Sequence, residues 1–196
     1  MPHRGDAQKA APIVHPSCQT LAIFRFHMHI RRLTPSDAAA FHALRLAALK
    51  AEPSAFASSY EEEKDFPLTT IEGRLAAKLD QGPFGAFENE ELVGLVALGR
   101  ESMSKLSHKA VIWGMYVKPE ARGKGIARAL LVEALSLARS TLEVMQVNLG
   151  VNASNAGAIR LYESVGFKAF GLEPGALFID GKLHDEIHMC LPLTDG

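Results

Sequence analysis

Apolar residues recur along this chain with two periods, one close to that of a helix and one close to that of a strand, and the switches between them outline its elements. "HIRRL" at residues 29–33 reads as a short strand. In "LTPSDAAAFHALRLAAL", Phe41, Leu44 and Ala48 fall at helical spacing behind Thr34 as an N-cap, Pro35 at the first helical position and Asp37 three residues after the cap. A first helix is predicted there. Residues 50–67 break it at Pro53 and mix small, aromatic and acidic residues, so they read as a loop. "LTTIEGRLAAKLD" then resumes a helical period through Ile71, Leu75 and Leu79.

The second half alternates more quickly. "FGAFENEELVGLVALGR" holds two apolar runs around Glu88 to Glu91, the pattern of a hairpin with an exposed acidic turn. "KAVIWGMYV" is short and apolar almost throughout, as expected of a strand covered on both faces. From Gly125 a wide apolar stripe containing Ile126, Leu130, Ala134 and Ala138 predicts a helix ending near Arg139. "VMQVNLGVN" is a further strand, and "NAGAIRLYESV" a helix stopped by Gly166. "ALFIDGKLHDEIHMCLPL" reads as two strands joined by an Asp180-Gly181 turn. The predicted order is β-α-α-β-β-β-α-β-α-β-β. Hairpins at both ends favour a mixed α/β layered fold over a purely parallel sheet.

Composition narrows the picture. The 196 residues suit one domain, and Lys plus Arg (21) nearly balance Asp plus Glu (22), so the electrostatic footprint of nucleic-acid binding is lacking. Cys18 and Cys190 are far apart, which indicates neither a disulfide framework nor a cysteine zinc site and fits a reducing cytoplasm. No apolar run approaches the roughly 20 residues that span a bilayer. Residues 1–27 carry prolines, scattered charge and little periodicity, and are expected to be a poorly ordered tail or an artefact of start-site choice, with the domain occupying residues 28–196.

One segment concentrates chemistry. "VKPEARGKGIARAL" runs from a strand into a helix through Arg122, Gly123, Lys124 and Gly125, a turn both basic and sterically bare. Helix-initial N–H groups lack partners and carry the positive end of the dipole, so the turn suits an anion such as phosphate, although an ordinary tight turn uses the same ingredients. A P-loop needs Ser or Thr after the Gly-Lys pair, where Gly125 stands, and a dinucleotide fingerprint needs a small residue where Arg128 stands.

Residues 122–127 resemble motif A of the GNAT superfamily of N-acetyltransferases: Arg or Gln, two residues of any type, Gly, any residue, then Gly or Ala. "VNASNAGAIRLYESVGF" is similar to that family's motif B helix, with Asn155, Ala158, Leu161-Tyr162 and Gly166-Phe167 in register. The resemblance covers all but the leading tail. It implies a GNAT acyl-CoA N-acyltransferase fold, with a central mixed sheet of about six to seven strands flanked by about four helices, and transfer of acetyl from acetyl-CoA directly to a primary amine in a ternary complex. It also implies that Arg122, Gly123, Lys124, Gly125, Ile126 and Ala127 cradle the pyrophosphate, and that Met115, Tyr116 and Val117 pair with pantetheine through their backbone. Asn155, Ala158 and Tyr162 complete the cofactor contacts. Tyr162, at the family's general-acid position, would serve the departing sulfur, while a packed aromatic on an amphipathic helix is the plain alternative.

The general base stays open. Relatives that acetylate ribosomal-protein N-termini carry a glutamate five residues before the motif asparagine, where this chain has Gly150. Candidates are Glu61, Glu62 and Glu63, with Glu62 and Glu63 favoured as base or acceptor contacts; Glu101 after a strand; and His184, Glu186 and His188, which alternate along one strand face. That last trio departs from the HExxH zinc pattern, and no metal is expected. The expected partner is a small-molecule or peptide amine, without nucleic acid or membrane; a homodimer is compatible with this reading. A non-catalytic acyl-CoA-binding or sensing domain is the alternative of another class.

Overall fold

The computed structural model describes residues 28–76, 81–141 and 143–193. The expected tail over residues 1–27, with Cys18, lies outside the described residues, as does Leu79 of the second predicted helix. Among the described residues seven strands form one sheet in the order β1-β2-β3-β4-β5-β7-β6. They are β1 (Met28–Arg32), β2 (Gln81–Glu88), β3 (Glu91–Arg100), β4 (Lys109–Val117), β5 (Gln146–Asn152), β6 (Lys168–Ile179) and β7 (Lys182–Pro192). Every neighbouring pair is antiparallel except β4 and β5.

Helices cover both faces. α1 (Ala38–Ala51) and α3 (Leu68–Leu75) bury Phe41, Leu44, Ile71 and Leu75 against Leu92, Leu95 and Tyr116 on one side. α4 (Ile126–Ser140) and α5 (Ala156–Glu163) close the other side, where Leu130, Leu131, Ala134 and Tyr162 meet Val96, Ile112, Leu149 and Met189. Local chemistry explains the punctuation. The Thr34 N–H donates to Asp37 Oδ2 at 2.8 Å ahead of α1, as the cap pattern predicts. Both hairpin turns, Asn89-Glu90 and Asp180-Gly181, have positive φ at both residues, so their twist matches that of the strands they join.

Three expectations are corrected. The loop over residues 50–67 contains a one-turn helix, α2 (Tyr60–Glu63), started by the Ser59–Glu62 capping box. β6 begins at Lys168, just after α5, where the polar and glycine-containing "KAFGLEPG" hides the period of a strand that is mostly exposed. β4 is not covered on both faces, because Trp113 is 47% exposed.

The exposed part of β4 coincides with a split in the sheet. β4 pairs with β5 only through Lys109–Val111 against Gln146–Asn148, whereas all seven residues of β5 pair with β7. Against β3, the register advances two residues from Leu95 to Ala97 while β4 advances three, from Trp113 to Tyr116, so β4 carries a bulge. Gly114 absorbs it with φ +68°. A bulge bends its strand and sharpens the local twist, which here carries β4 away from β5 beyond Val111.

Candidate active site

A continuous cleft occupies this split. Its inner cavity, about 510 Å³, is lined by Trp113, Gly114 and Met115 of β4, Asn148, Gly150 and Asn152 of β5, Glu186 and His188 of β7, and Tyr162 of α5. An adjoining cavity of about 530 Å³ extends past Met115, Tyr116 and Val117 to Arg122 and Ala127, and is walled by Asn155, Ala158 and Leu161. Ala55, Phe56, Met115, Asn152, Asn155 and Ala158 belong to both. The gap between the parallel strands therefore joins the α4 turn to the polar face of β7.

At the α4 end, Gly123 and Gly125 have φ +78° and +80°, and Gly125 is the N-cap of the helix. A Cβ at Gly125 would meet nothing within 4 Å, so its conformation, not lack of room, calls for glycine, and the backbone stands open. The two basic side chains are engaged within the fold. Arg122 Nε donates to the Val117 carbonyl at 3.0 Å and its Nη2 to Glu52 Oε1 at 3.1 Å; Lys124 Nζ reaches both Glu88 oxygens at 2.9 Å. Gly123, Lys124, Gly125 and Ile126 line neither cavity, and the Ile126 side chain is buried in the core. Of these six residues only Arg122 and Ala127 face the cleft directly, so the other four can serve a ligand only at its outer edge or through backbone.

A segment missed in the sequence roofs the cleft. Ser54, Ala55 and Phe56 follow α1, and Asn152 Nδ2 holds the Ser54 carbonyl at 3.2 Å while Asn152 Oδ1 accepts from the Ser154 N–H and hydroxyl at 2.9 and 2.6 Å. Asn152 is buried, and this clamp satisfies it. Asn155 caps α5, its Oδ1 accepting from the Ala158 N–H at 3.0 Å. Tyr162 is 6% exposed, stands edge-on to Phe167 at 5.9 Å, and has its pKa raised to about 12 by burial. Its phenol stays protonated through neutral pH, the state an acid requires.

Glu62 and Glu63 line neither cavity, and both carboxylates are already committed. Glu62 accepts from the Ser59 N–H at 2.7 Å and its hydroxyl at 3.0 Å, which lowers its pKa. Glu63 is 5% exposed and accepts from Arg45 Nη2 at 3.0 Å, Arg45 Nε at 3.3 Å and Ser58 Oγ at 2.6 Å, with Arg74 at 3.7 Å. Burial raises its pKa, but the bonds from Arg45 and Ser58 and the charges of both arginines outweigh that, and the net direction is down. The structure thus corrects their expected role: both hold α2 in place, and neither reaches the cleft. Arg45 lay in the apolar stripe of Phe41, Leu44 and Ala48, the signal by which its burial could have been read; its Nη1 has no hydrogen-bond partner among the described residues. Glu101 follows β3 and lines neither cavity.

The β7 face, by contrast, opens into the cleft. Glu186 and His188 are half-buried in the inner cavity, and the His188 Nε2–H donates to Glu173 Oε2 of β6 at 2.9 Å. Donor atoms of Glu173, Glu186 and His188 lie within 4.8 Å of one another. With only one imidazole, itself paired to Glu173, the trio forms a carboxylate–imidazole network more readily than a tetrahedral ligand set.

A family model described as the Acetyltransferase (GNAT) family matches residues 45–167. The spermidine N(1)-acetyltransferase of Vibrio cholerae is 32% identical over 96 residues, 49% of this chain and 54% of that protein. The chain spans about half the length of the curated relatives it matches. Among solved structures, a GNAT-family acetyltransferase from Streptococcus pneumoniae superposes with TM-score 0.77 at 23% identity, covering 85% of this chain and 99% of the other. The yncA protein of Salmonella typhimurium, solved with its cofactor acetyl-CoA, gives 0.72 at 24% identity, covering 87% and 96%.

Proposed function

Because the chain belongs to the acetyltransferase (GNAT) family, we propose that it transfers the acetyl group of acetyl-CoA directly to the primary amine of a small molecule or peptide in a ternary complex. The observation that carries this reading is the split between β4 and β5, which makes one slot from the left-handed glycine turn of α4 to Tyr162 and the β7 face. The residues fit an elongated ligand with an anionic end and a hydrogen-bonding middle. Backbone N–H groups at Gly123 to Ala127 would hold the diphosphate, with Arg122 beside them, and Met115 to Val117 would pair with the pantetheine amides as a missing strand would. Asn155 and Ala158 would form the facing wall. Lys124, paired to Glu88, would fix the turn and not reach the ligand.

Bound acetyl-CoA would supply the acetyl group already activated as a thioester. A backbone N–H of β4 between Met115 and Val117 would stabilise charge growing on the carbonyl oxygen, and Tyr162 would give its proton to the departing sulfur as the C–S bond breaks. Holding both substrates in one slot supplies much of the rate through orientation. The cytoplasm and residues 28–196 as the catalytic domain complete the proposal. Among the described residues, no helix is long and apolar enough to cross a membrane.

Calorimetry with acetyl-CoA, followed by thiol release over a panel of amines, tests the reading. Absence of binding would refute it; binding without thiol release for any amine would leave an acyl-CoA-binding domain.

A further inference from the structure

Acetyl transfer needs a neutral amine, yet aliphatic amines are protonated at neutral pH, so a proton must leave before nitrogen can attack. The titratable side chains of the inner cavity are Arg45, Tyr162, Glu186 and His188. Arg45 is a cation bound to Glu63, and Tyr162 holds its proton to about pH 12. His188 is already tied to Glu173. Glu186 remains, and the fold makes room for it.

Gly150 sits beside it on the same sheet face, opposite His188 in register and diagonal to Glu186. A Cβ built on Gly150 would lie 2.4 Å from Glu186 Oε1 and 2.6 Å from its Cδ. No side chain fits at position 150 while the carboxylate is there. The absence of a side chain on β5 thus lets the carboxylate of β7 lie over β5 at the cleft.

Resting on the acetyltransferase reading, we infer that Glu186 is the general base, and that the acceptor is a primary alkylamine that arrives as an ammonium ion. The ammonium docks between Glu186 and the exposed aromatic faces of Trp113 and Phe170, which also line the cavity and favour a cation. A carboxylate oxygen of Glu186 takes one proton. The freed lone pair forms the C–N bond while the C–S bond breaks. Of the two protons the nitrogen gives up in all, one is balanced by the thiol formed through Tyr162, and the other passes to solvent. His188 and Glu173, with side chains 36% and 56% exposed, line the exit. Charged and titratable groups facing Glu186 are His184 and His188 along β7, Glu173 in register on β6, and Arg45 and Tyr162 across the cavity.

The test is steady-state kinetics of the full chain with n-butylamine, 1,4-diaminobutane and Nα-acetyl-lysine amide across about pH 6 to 10, beside acetyl-CoA titrations by calorimetry. Glu186→Gln should lower kcat/KM about 10²-fold or more and leave acetyl-CoA affinity within about twofold. Gly150→Ala keeps the carboxylate but displaces it, so it should lower the rate by less than Glu186→Gln does. A Glu186→Gln enzyme with unchanged rate would overturn the assignment. So would a wild-type protein that binds acetyl-CoA yet uses none of the three amines, or activity removed by EDTA and restored by zinc. Failure of the wild type to bind acetyl-CoA would instead strike the acetyltransferase reading itself.

Discussion

Glu63 and Glu186 are two carboxylates in two differently built regions. Around Glu63, α1 supplies Arg45, α3 supplies Arg74 and the bend before α2 supplies Ser58, and the group is buried with its acceptor capacity filled. Around Glu186, β5 withholds a side chain and the carboxylate faces a cavity. A filled carboxylate stabilises structure and resists taking a proton; one left facing a cleft beside aromatic rings is available to a cationic guest. Acidity of a sequence run says little about which of these a residue becomes. The count of donors around it says more.

The contrast can be broken most forcefully at its structural pole. Glu63→Ala strands the Arg45 cation in the interior and should cost about 3 to 5 kcal/mol, read as a lower urea midpoint at unchanged slope. Glu186→Gln should cost about 1 kcal/mol or less in the same assay. Equal losses would erase the distinction between the two regions.

Next in size is Tyr162→Phe, expected to lower turnover about 10²-fold, or about 2.7 kcal/mol, with acetyl-CoA binding retained in calorimetry. A smaller effect is expected from Asn152→Ala. It frees the Ser54 carbonyl and the roof of both cavities, and should cost about 1 to 2 kcal/mol of stability and weaken acetyl-CoA binding severalfold. Finally, Glu63 has a lowered folded pKa, so its contribution is complete above the unfolded value of about 4.3 and lost as pH falls through the folded one. Urea midpoints should therefore drop more steeply below about pH 4 in the wild type than in Glu63→Gln.

Much of this architecture could be read from residue order because its signals are local. The Thr34 cap, the acidic hairpin turn, the glycine turn before α4 and the stop at Gly166 each depend on a few adjacent residues. Other features depend on distant partners. The exposure of Trp113 follows from a bulge against β3 and a lost pairing with β5, so an apolar run could not distinguish a cleft wall from a covered strand. The roles of Glu63 and Glu186 depend on Arg45 and Gly150, 18 and 36 positions away. The ion pairs of Arg122 and Lys124 with Glu52 and Glu88 span 70 and 36 positions.

The extra residue in β4 carries an implication for how this sheet tolerates insertions and deletions. At a bulge two residues do the work of one, so removing Gly114 would leave the flanking side chains pointing as before and the pairing with β3 more regular. Such a shortened protein should fold, and its two central strands should zip together past Val111. The groove would then close, and a tidier sheet would have nowhere to put a ligand.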